Sequence, residues 1–258
     1  MRLPPHDQQV WLSPPERTLL ADGEVHVWRA ELNPDGSVLG ELAEALSPDE
    51  RLRASKFHFQ RDRDHFVAAR GRLREILSRY AGTAAGRLRF SYDKYGKPSL
   101  VGEAGGGALR FNVSHSNGVA LYAVTVGHEV GVDVEFVRED FASLEIAERF
   151  FSRREVAALL ALAPGQRASA FFDCWTRKEA YIKARGEGLS HPLHLFTVSL
   201  APGQPAALLY TEDDEQEAAR WSLVELFPGA GYRGALAVEG GAPSLRCWSC
   251  EGAGSRIE

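Results

Sequence analysis

Two kinds of hydrophobic spacing divide this chain. Strict alternation, which sends every second side chain to one face of a strand, runs through residues 118–126 and 232–238 and through Gly131-Val132-Asp133-Val134-Glu135-Phe136. Helical spacing governs residues 171–184, which lack Pro and Gly and carry apolar side chains at Phe171, Trp175, Tyr181 and Ile182 among good helix formers. Gly186-Glu187-Gly188-Leu189 then stops that helix, because a glycine readily takes the left-handed backbone that closes a last turn. Leu109-Arg110-Phe111 reads as a further strand and residues 102–107 and 202–205 as surface loops. Residues 245–250 read as a short strand before a fraying end.

The pattern repeats. Shifting the chain by 105 residues lays Glu24-Val25-His26-Val27 over Glu129-Val130-Gly131-Val132, Ser47 and Glu50 over Ser152 and Glu155, and Phe66 and Arg72 over Phe171 and Arg177. Each half then has a strand, a Ser-x-x-Glu helix start resembling a capping box, and an amphipathic helix opened by an aromatic. The expectation is an α+β protein of two similar lobes, residues 1–126 and 127–258.

Composition narrows the class. A length of 258 residues with 44% hydrophobic content supplies a substantial core. Three cysteines, Cys174, Cys247 and Cys250, are too few and odd in number for a disulfide scaffold, which favours a reducing compartment, the cytoplasm by default. The first ten residues are polar and the longest apolar run, 156–163, is far short of a bilayer span, so neither export nor membrane insertion is expected. A net charge of −5 argues against general nucleic-acid binding. Between Arg51 and Arg79, however, nine basic residues face three acids, an excess suited to a small polyphosphate or an acidic protein surface.

Candidate chemistry sits on the two patterned segments of the second half. On a strand, Asp133 and Glu135 share a face, and adjacent carboxylates repel unless a proton or a hard cation such as Mg²⁺ relieves the cost. The positions that match them in the first half are Trp28 and Ala30. On the helix, Trp175, Glu179 and Lys183 fall at i, i+4 and i+8, with Lys178 alongside. Glu179 completes a three-carboxylate set, and Lys178 and Lys183 suit phosphate oxygens. The plain alternative is a helix whose charges pair in water. Ser114-His115, at the end of a strand, offers donors to a phosphate, and no carboxylate partner or nucleophile-elbow spacing accompanies it to suggest a hydrolase triad. Tyr95-Gly96-Lys97-Pro98 reads as a turn, Cys247-Trp248-Ser249-Cys250 lacks the second ligand pair of a zinc site, and Cys174 reads as a buried small hydrophobe.

Taken in order, five motifs resemble the 4'-phosphopantetheinyl transferase superfamily, in its larger, two-lobed monomeric Sfp-type group. They are Tyr-Gly-Lys-Pro at 95–98, Phe-Asn-Val-Ser-His-Ser at 111–116, Gly-Val-Asp-Val-Glu at 131–135, Arg-Phe-Phe-Ser-x-x-Glu at 149–155 and Trp-Thr-x-Lys-Glu-Ala-Tyr-x-Lys at 175–183. The resemblance implies two α+β lobes related by pseudo-twofold symmetry, with coenzyme A in the cleft between them. It implies transfer of the phosphopantetheine arm to a serine of an apo acyl or peptidyl carrier protein, releasing adenosine 3',5'-bisphosphate. By position, Asp133, Glu135 and Glu179 would bind Mg²⁺, with Mn²⁺ as a substitute. Lys183, Ser114 and His115 would meet phosphates, Lys97 the adenine or its ribose phosphate, and Arg70 and Arg74 the 3'-phosphate. Glu155 and Lys178 match positions near the reacting phosphate, and either Glu179 or Glu155 would take the serine proton. A metal-dependent nuclease or phosphohydrolase, and a non-catalytic coenzyme A or carrier-binding module, are the competing classes. Two fused lobes would replace a subunit interface and leave a monomer.

Overall fold

The computed structural model describes residues 9–16, 18–102, 108–186, 188, 191–212, 214 and 216–251. Readings that fall on residues 1–8, on 103–107, on Glu187 and Leu189 or on 252–258 lie outside these described residues. Regular structure opens with β1 (Glu24–Glu31), α1 (Gly36–Glu44), α2 (Pro48–Ala54) and the long α3 (Gln60–Ala81). A 3-10 turn leads to a small hairpin, β2 (Phe90–Tyr92) and β3 (Pro98–Leu100), and then to β4 (Leu109–Ser116) and β5 (Val119–Val126). The order returns in β6 (Val130–Phe136), α4 (Leu144–Phe150), α5 (Arg153–Ala161) and the long α6 (Pro164–Arg185). A second 3-10 turn, a second small hairpin of β7 (Phe196–Val198) and β8 (Leu208–Thr211), a short α7 (Glu217–Arg220) and the pair β9 (Trp221–Leu226) and β10 (Tyr232–Glu239) follow, and β11 (Ser244–Ser249) comes last.

Two larger sheets form, ordered β11-β1-β5-β4 and β6-β10-β9. Alternation along the strands divides their apolar residues between two faces. Val25, Val27, Leu121 and Ala123 of the first sheet meet Val130, Val132, Val134 and Leu236 of the second in a core between the sheets. The opposite face of the first sheet, including Trp28, Ala30 and Tyr122, packs on Leu73, Ile76 and Leu77 of α3. The opposite face of the second receives α6 through Phe171, Ala180 and Ala184 against Ala235 and Ala237. The layers therefore run α3, first sheet, second sheet, α6. Strand β11 pairs parallel with β1, Trp248 opposite Trp28, so residues 244–249 complete the first sheet rather than joining the second half that precedes them.

Both expected capping boxes are present, Ser47 with Glu50 at α2 and Ser152 with Glu155 at α5. Helix α6 begins earlier than its apolar pattern predicts, with Pro164 in its first turn, and ends on Gly186 at φ 71°. Cys174, Cys247 and Cys250 are free thiols, and Cys247 and Cys250 line different cores. No described helix is long and apolar enough to cross a membrane.

Candidate active site

The site begins with a missing side chain. A Cβ on Gly131 would stand 2.1 Å from the Ala180 carbonyl oxygen and 2.4 Å from the Ala184 nitrogen, so only glycine lets α6 lie this close on β6. That contact brings Glu179 and Lys183, one helical turn apart, over the face of β6 that carries Asp133 and Glu135. Lys183 Nζ donates to Asp133 Oδ1 at 2.6 Å and to Ser114 Oγ at 3.0 Å, while Ser114 Oγ donates to the same Oδ1 at 2.7 Å. The Ser114 hydroxyl thus has a carboxylate partner that its sequence neighbourhood did not show. The other oxygen of Asp133, Oδ2, is buried with no hydrogen-bond partner among the described residues.

Strand β4 approaches β6 from another sheet, and side chains bridge the two. Arg110 Nε donates to Glu129 at 3.0 Å, Val132 N–H donates to Asn112 Oδ1 at 3.0 Å, and Ser116 Oγ donates to Glu135 Oε2 at 2.7 Å. With Ser114, these are the even positions of β4, all on one face. His115 points to the other, where His65 of α3 lies close enough to act on it electrostatically. Leu109-Arg110-Phe111 was legible as a strand, but neither its continuation to Ser116 nor what this face would meet was. His65, which contacts Asn33 Oδ1 at 2.8 Å, carried no sequence signal at all.

Electrostatics follow from crowding. Burial, then the charges of Asp133 and Glu135, push the Glu179 carboxyl up to about 7, against which Lys183 works only partly. Burial and Asp133 also raise Glu135. Desolvation, Lys183 and His65 lower His115. Among the described residues no three His, Cys, Asp or Glu side chains are gathered as a ready-made metal cluster. The donor set nevertheless fits a hard divalent cation: mutually repelling carboxylates, two with raised proton affinity, and one buried oxygen without a partner.

Lys97 is not a free surface lysine. Its Nζ donates to the Ala184 carbonyl and to Glu129, both at 3.1 Å, so the 95–98 turn is tied to the last turn of α6 beside Gly186.

Four expected site residues are held in ion pairs. Arg74 is 1% exposed, and its guanidinium donates to Glu50 and to the carbonyls of Ala85 and Leu88. Arg70 also pairs with Glu50, donates to Tyr92 and lies over the Phe90 ring. Both arginines therefore hold the capping carboxylate of α2, and together they line a cavity that also takes in Ser47, Phe90 and Tyr92. The second half repeats this arrangement with Glu155 and Lys178, 1% and 0% exposed. Lys178 Nζ spends its three protons on Glu155 and the carbonyls of Leu193 and Phe196. Glu155 accepts from Ser152 N–H and Val198 N–H. Buried and fully hydrogen-bonded, this pair holds α5, α6 and β7 together.

Comparison with known proteins agrees with the geometry. A profile described as "4'-phosphopantetheinyl transferase superfamily" matches residues 129–237, and one described as "4'-phosphopantetheinyl transferase, N-terminal" matches residues 30–127. The chain is 41% identical over 242 residues to the 4'-phosphopantetheinyl transferase HetI of Nostoc sp., covering 93% of this chain and 98% of that one. It is 30% identical to the putative 4'-phosphopantetheinyl transferase slr0495 of Synechocystis sp., covering 83% and 78%. To the 4'-phosphopantetheinyl transferase Sfp of Bacillus subtilis it is 34% identical, covering 60% and 66%. With the two profiles spanning both halves and a relative matched over nearly its whole length, the chain belongs to the 4'-phosphopantetheinyl transferase superfamily.

Proposed function

We propose that this protein transfers the 4'-phosphopantetheine group of coenzyme A to a serine of an apo acyl or peptidyl carrier protein. The observation that carries the reading is the joined set of Asp133, Glu135 and Glu179 with Lys183 and Ser114, where the family motifs meet in space. Asp133, Glu135 and Glu179 would hold Mg²⁺, or Mn²⁺ in its place. When bound, the cation supplies charge neutralisation on the pyrophosphate.

The chain's own residues do the rest. Lys183, partly exposed, and Ser114 would bind phosphate oxygens, as would His115 from the other face of β4, with Lys97 nearby at the end of α6. The carrier serine oxygen forms a new bond to the β-phosphorus. The bond from that phosphorus to the bridging oxygen breaks, and adenosine 3',5'-bisphosphate leaves with the electron pair. Glu179 would take the serine proton, whereas Glu155 is enclosed among its partners at 1% exposure. Charge and positioning at a fixed site account for the remainder of the catalysis. The reading extends to a cytoplasmic monomer, in keeping with three free thiols.

The test is loading of a panel of apo carrier proteins with coenzyme A, read by intact mass, with Mg²⁺ and with EDTA. A mass gain of one phosphopantetheine group that EDTA removes is expected. Absence of loading across the panel, or release of free phosphopantetheine without a carrier, overturns the proposal.

A further inference from the structure

The hydroxyls of β4 are directional. A serine hydroxyl has one proton, so once another group donates to its oxygen, that proton is free to be aimed elsewhere. Phe136 N–H donates to Ser116 Oγ at 3.2 Å, and the Ser116 proton goes to Glu135 Oε2 at 2.7 Å. Lys183 Nζ donates to Ser114 Oγ, and the Ser114 proton goes to Asp133 Oδ1. Each strand carboxylate therefore has one oxygen tied to a β4 hydroxyl. The other is left over: Asp133 Oδ2 is buried without a partner, and no hydrogen bond among the described residues reaches Glu135 Oε1.

The two serines are not equivalent. Ser114 touches Lys183 and sits among the groups placed to meet phosphate. The Ser116 hydroxyl bonds instead to Glu135 and the backbone of β6, at the end of a strand that shares no main-chain ladder with β6. Without its hydroxyl, Glu135 would keep a rotatable side chain beside a repelling Asp133, and the Phe136 N–H would lose its acceptor.

We infer that Ser116 is a positioning residue: its hydroxyl ties one oxygen of Glu135 so that the other stays directed, beside Asp133, to a shared divalent cation. The inference rests on the reading of Asp133, Glu135 and Glu179 as the cation-holding set. Partners of this kind, which orient a ligand without touching the metal, change metal affinity by about 10- to 100-fold when removed.

Mn²⁺ alone, titrated into the purified full chain and followed by the electron paramagnetic resonance signal of the free ion, tests this without coenzyme A or carrier. Ser116→Ala should weaken binding by about tenfold or more. Ser116→Thr keeps the hydroxyl and should bind as the wild type does, while Ser116→Val, of nearly the same shape, should bind like the alanine variant. In a Glu135→Gln background, Ser116→Ala should add nothing, since the group it positions has been replaced. Should the alanine variant not fold, the Thr and Val pair carries the comparison. Equal Mn²⁺ binding by the Thr and Val variants, or the same loss on Ser116→Ala with and without Glu135→Gln, overturns the positioning role alone. Failure of the wild type to bind Mn²⁺ overturns the cation reading beneath it.

Discussion

Gly131 lies directly under Ala180, with no room for even a methyl group between strand β6 and helix α6. The atoms it faces are the Ala180 carbonyl oxygen and the Ala184 amide nitrogen and Cα, all backbone of a helix that cannot give locally. The same contact fixes how far Glu179 and Lys183 stand from Asp133. Fold and site thus depend on one absent side chain.

Gly131→Ala should therefore destabilise the protein by about 1–3 kcal/mol or more, the usual cost of overpacking, and reduce transfer beyond what the loss of folded protein explains. Gly165 is the control: it lies in the exposed first turn of the same helix, and a methyl group there would meet no described atom within 4 Å. Gly165→Ala should be neutral or stabilising by up to about 1 kcal/mol. Urea denaturation and carrier loading on the two variants decide it. Equal stability of the two would show that α6 can move away from β6.

Lys178→Met leaves the Glu155 carboxylate buried without its cation, and a loss of about 3–5 kcal/mol is expected. A catalytic lysine would behave in the opposite way, losing turnover with stability intact. Urea midpoints and turnover per folded molecule separate the two, and a fully stable, inactive Lys178→Met would place the pair in the chemistry after all.

The residues that could be read correctly from sequence are those whose partners follow from local periodicity. Asp133 and Glu135 share a face because strands alternate, and Glu179 and Lys183 share one because helices turn every 3.6 residues. Arg70 and Arg74 looked like a free basic surface because their neutralising partner, Glu50, lies 20 and 24 residues upstream on another helix. The pairing of Glu155 with Lys178 was hidden for the same reason, since a capping box explains the glutamate but does not reveal a buried ammonium beneath it. Strand β11 was legible as a strand, but its parallel neighbour β1 is more than two hundred residues away, and no local pattern encodes a parallel pairing at that distance. The Asn112, Ser114 and Ser116 face was not legible, because the strand reading stopped at Phe111 and the partners of that face lie on β6 of another sheet.

Glu179→Gln should abolish loading yet stabilise the metal-free protein at pH 8. The folded carboxyl titrates at about 7 against an ordinary value of 4.5, so its contribution to stability is complete below 4.5 and is lost as pH rises through about 7. Gln stays neutral throughout. The variant should match the wild type near pH 4 and exceed it by on the order of 1–2 kcal/mol at pH 8 in EDTA. Urea titrations at the two pH values read this directly, and a variant less stable than the wild type at pH 8 would mean that Glu179 is held by attraction rather than crowded by its neighbours.

His26 sets a second pH dependence, remote from the site. It is buried on β1, its Nδ1 2.8 Å from the Tyr80 hydroxyl and its Nε2 3.4 Å from Glu24. Desolvation holds its imidazole below 6.5, with Arg246 adding to that and Glu24 opposing it. For a histidine lowered in the folded state, the unfolded chain binds the proton first as pH falls. Its stabilising contribution is thus present above 6.5 and is lost as pH drops from 6.5 through the folded value, by about 1.4 kcal/mol for each unit of depression. His65 and His115 are lowered as well and act in the same direction, so the wild-type profile alone cannot isolate His26. The difference between the wild type and His26→Asn can, because asparagine does not titrate. Stability of the wild type relative to this variant should fall between pH 7 and pH 5, and a difference that stays flat over that interval would show that the buried imidazole already carries its proton, paired with Glu24.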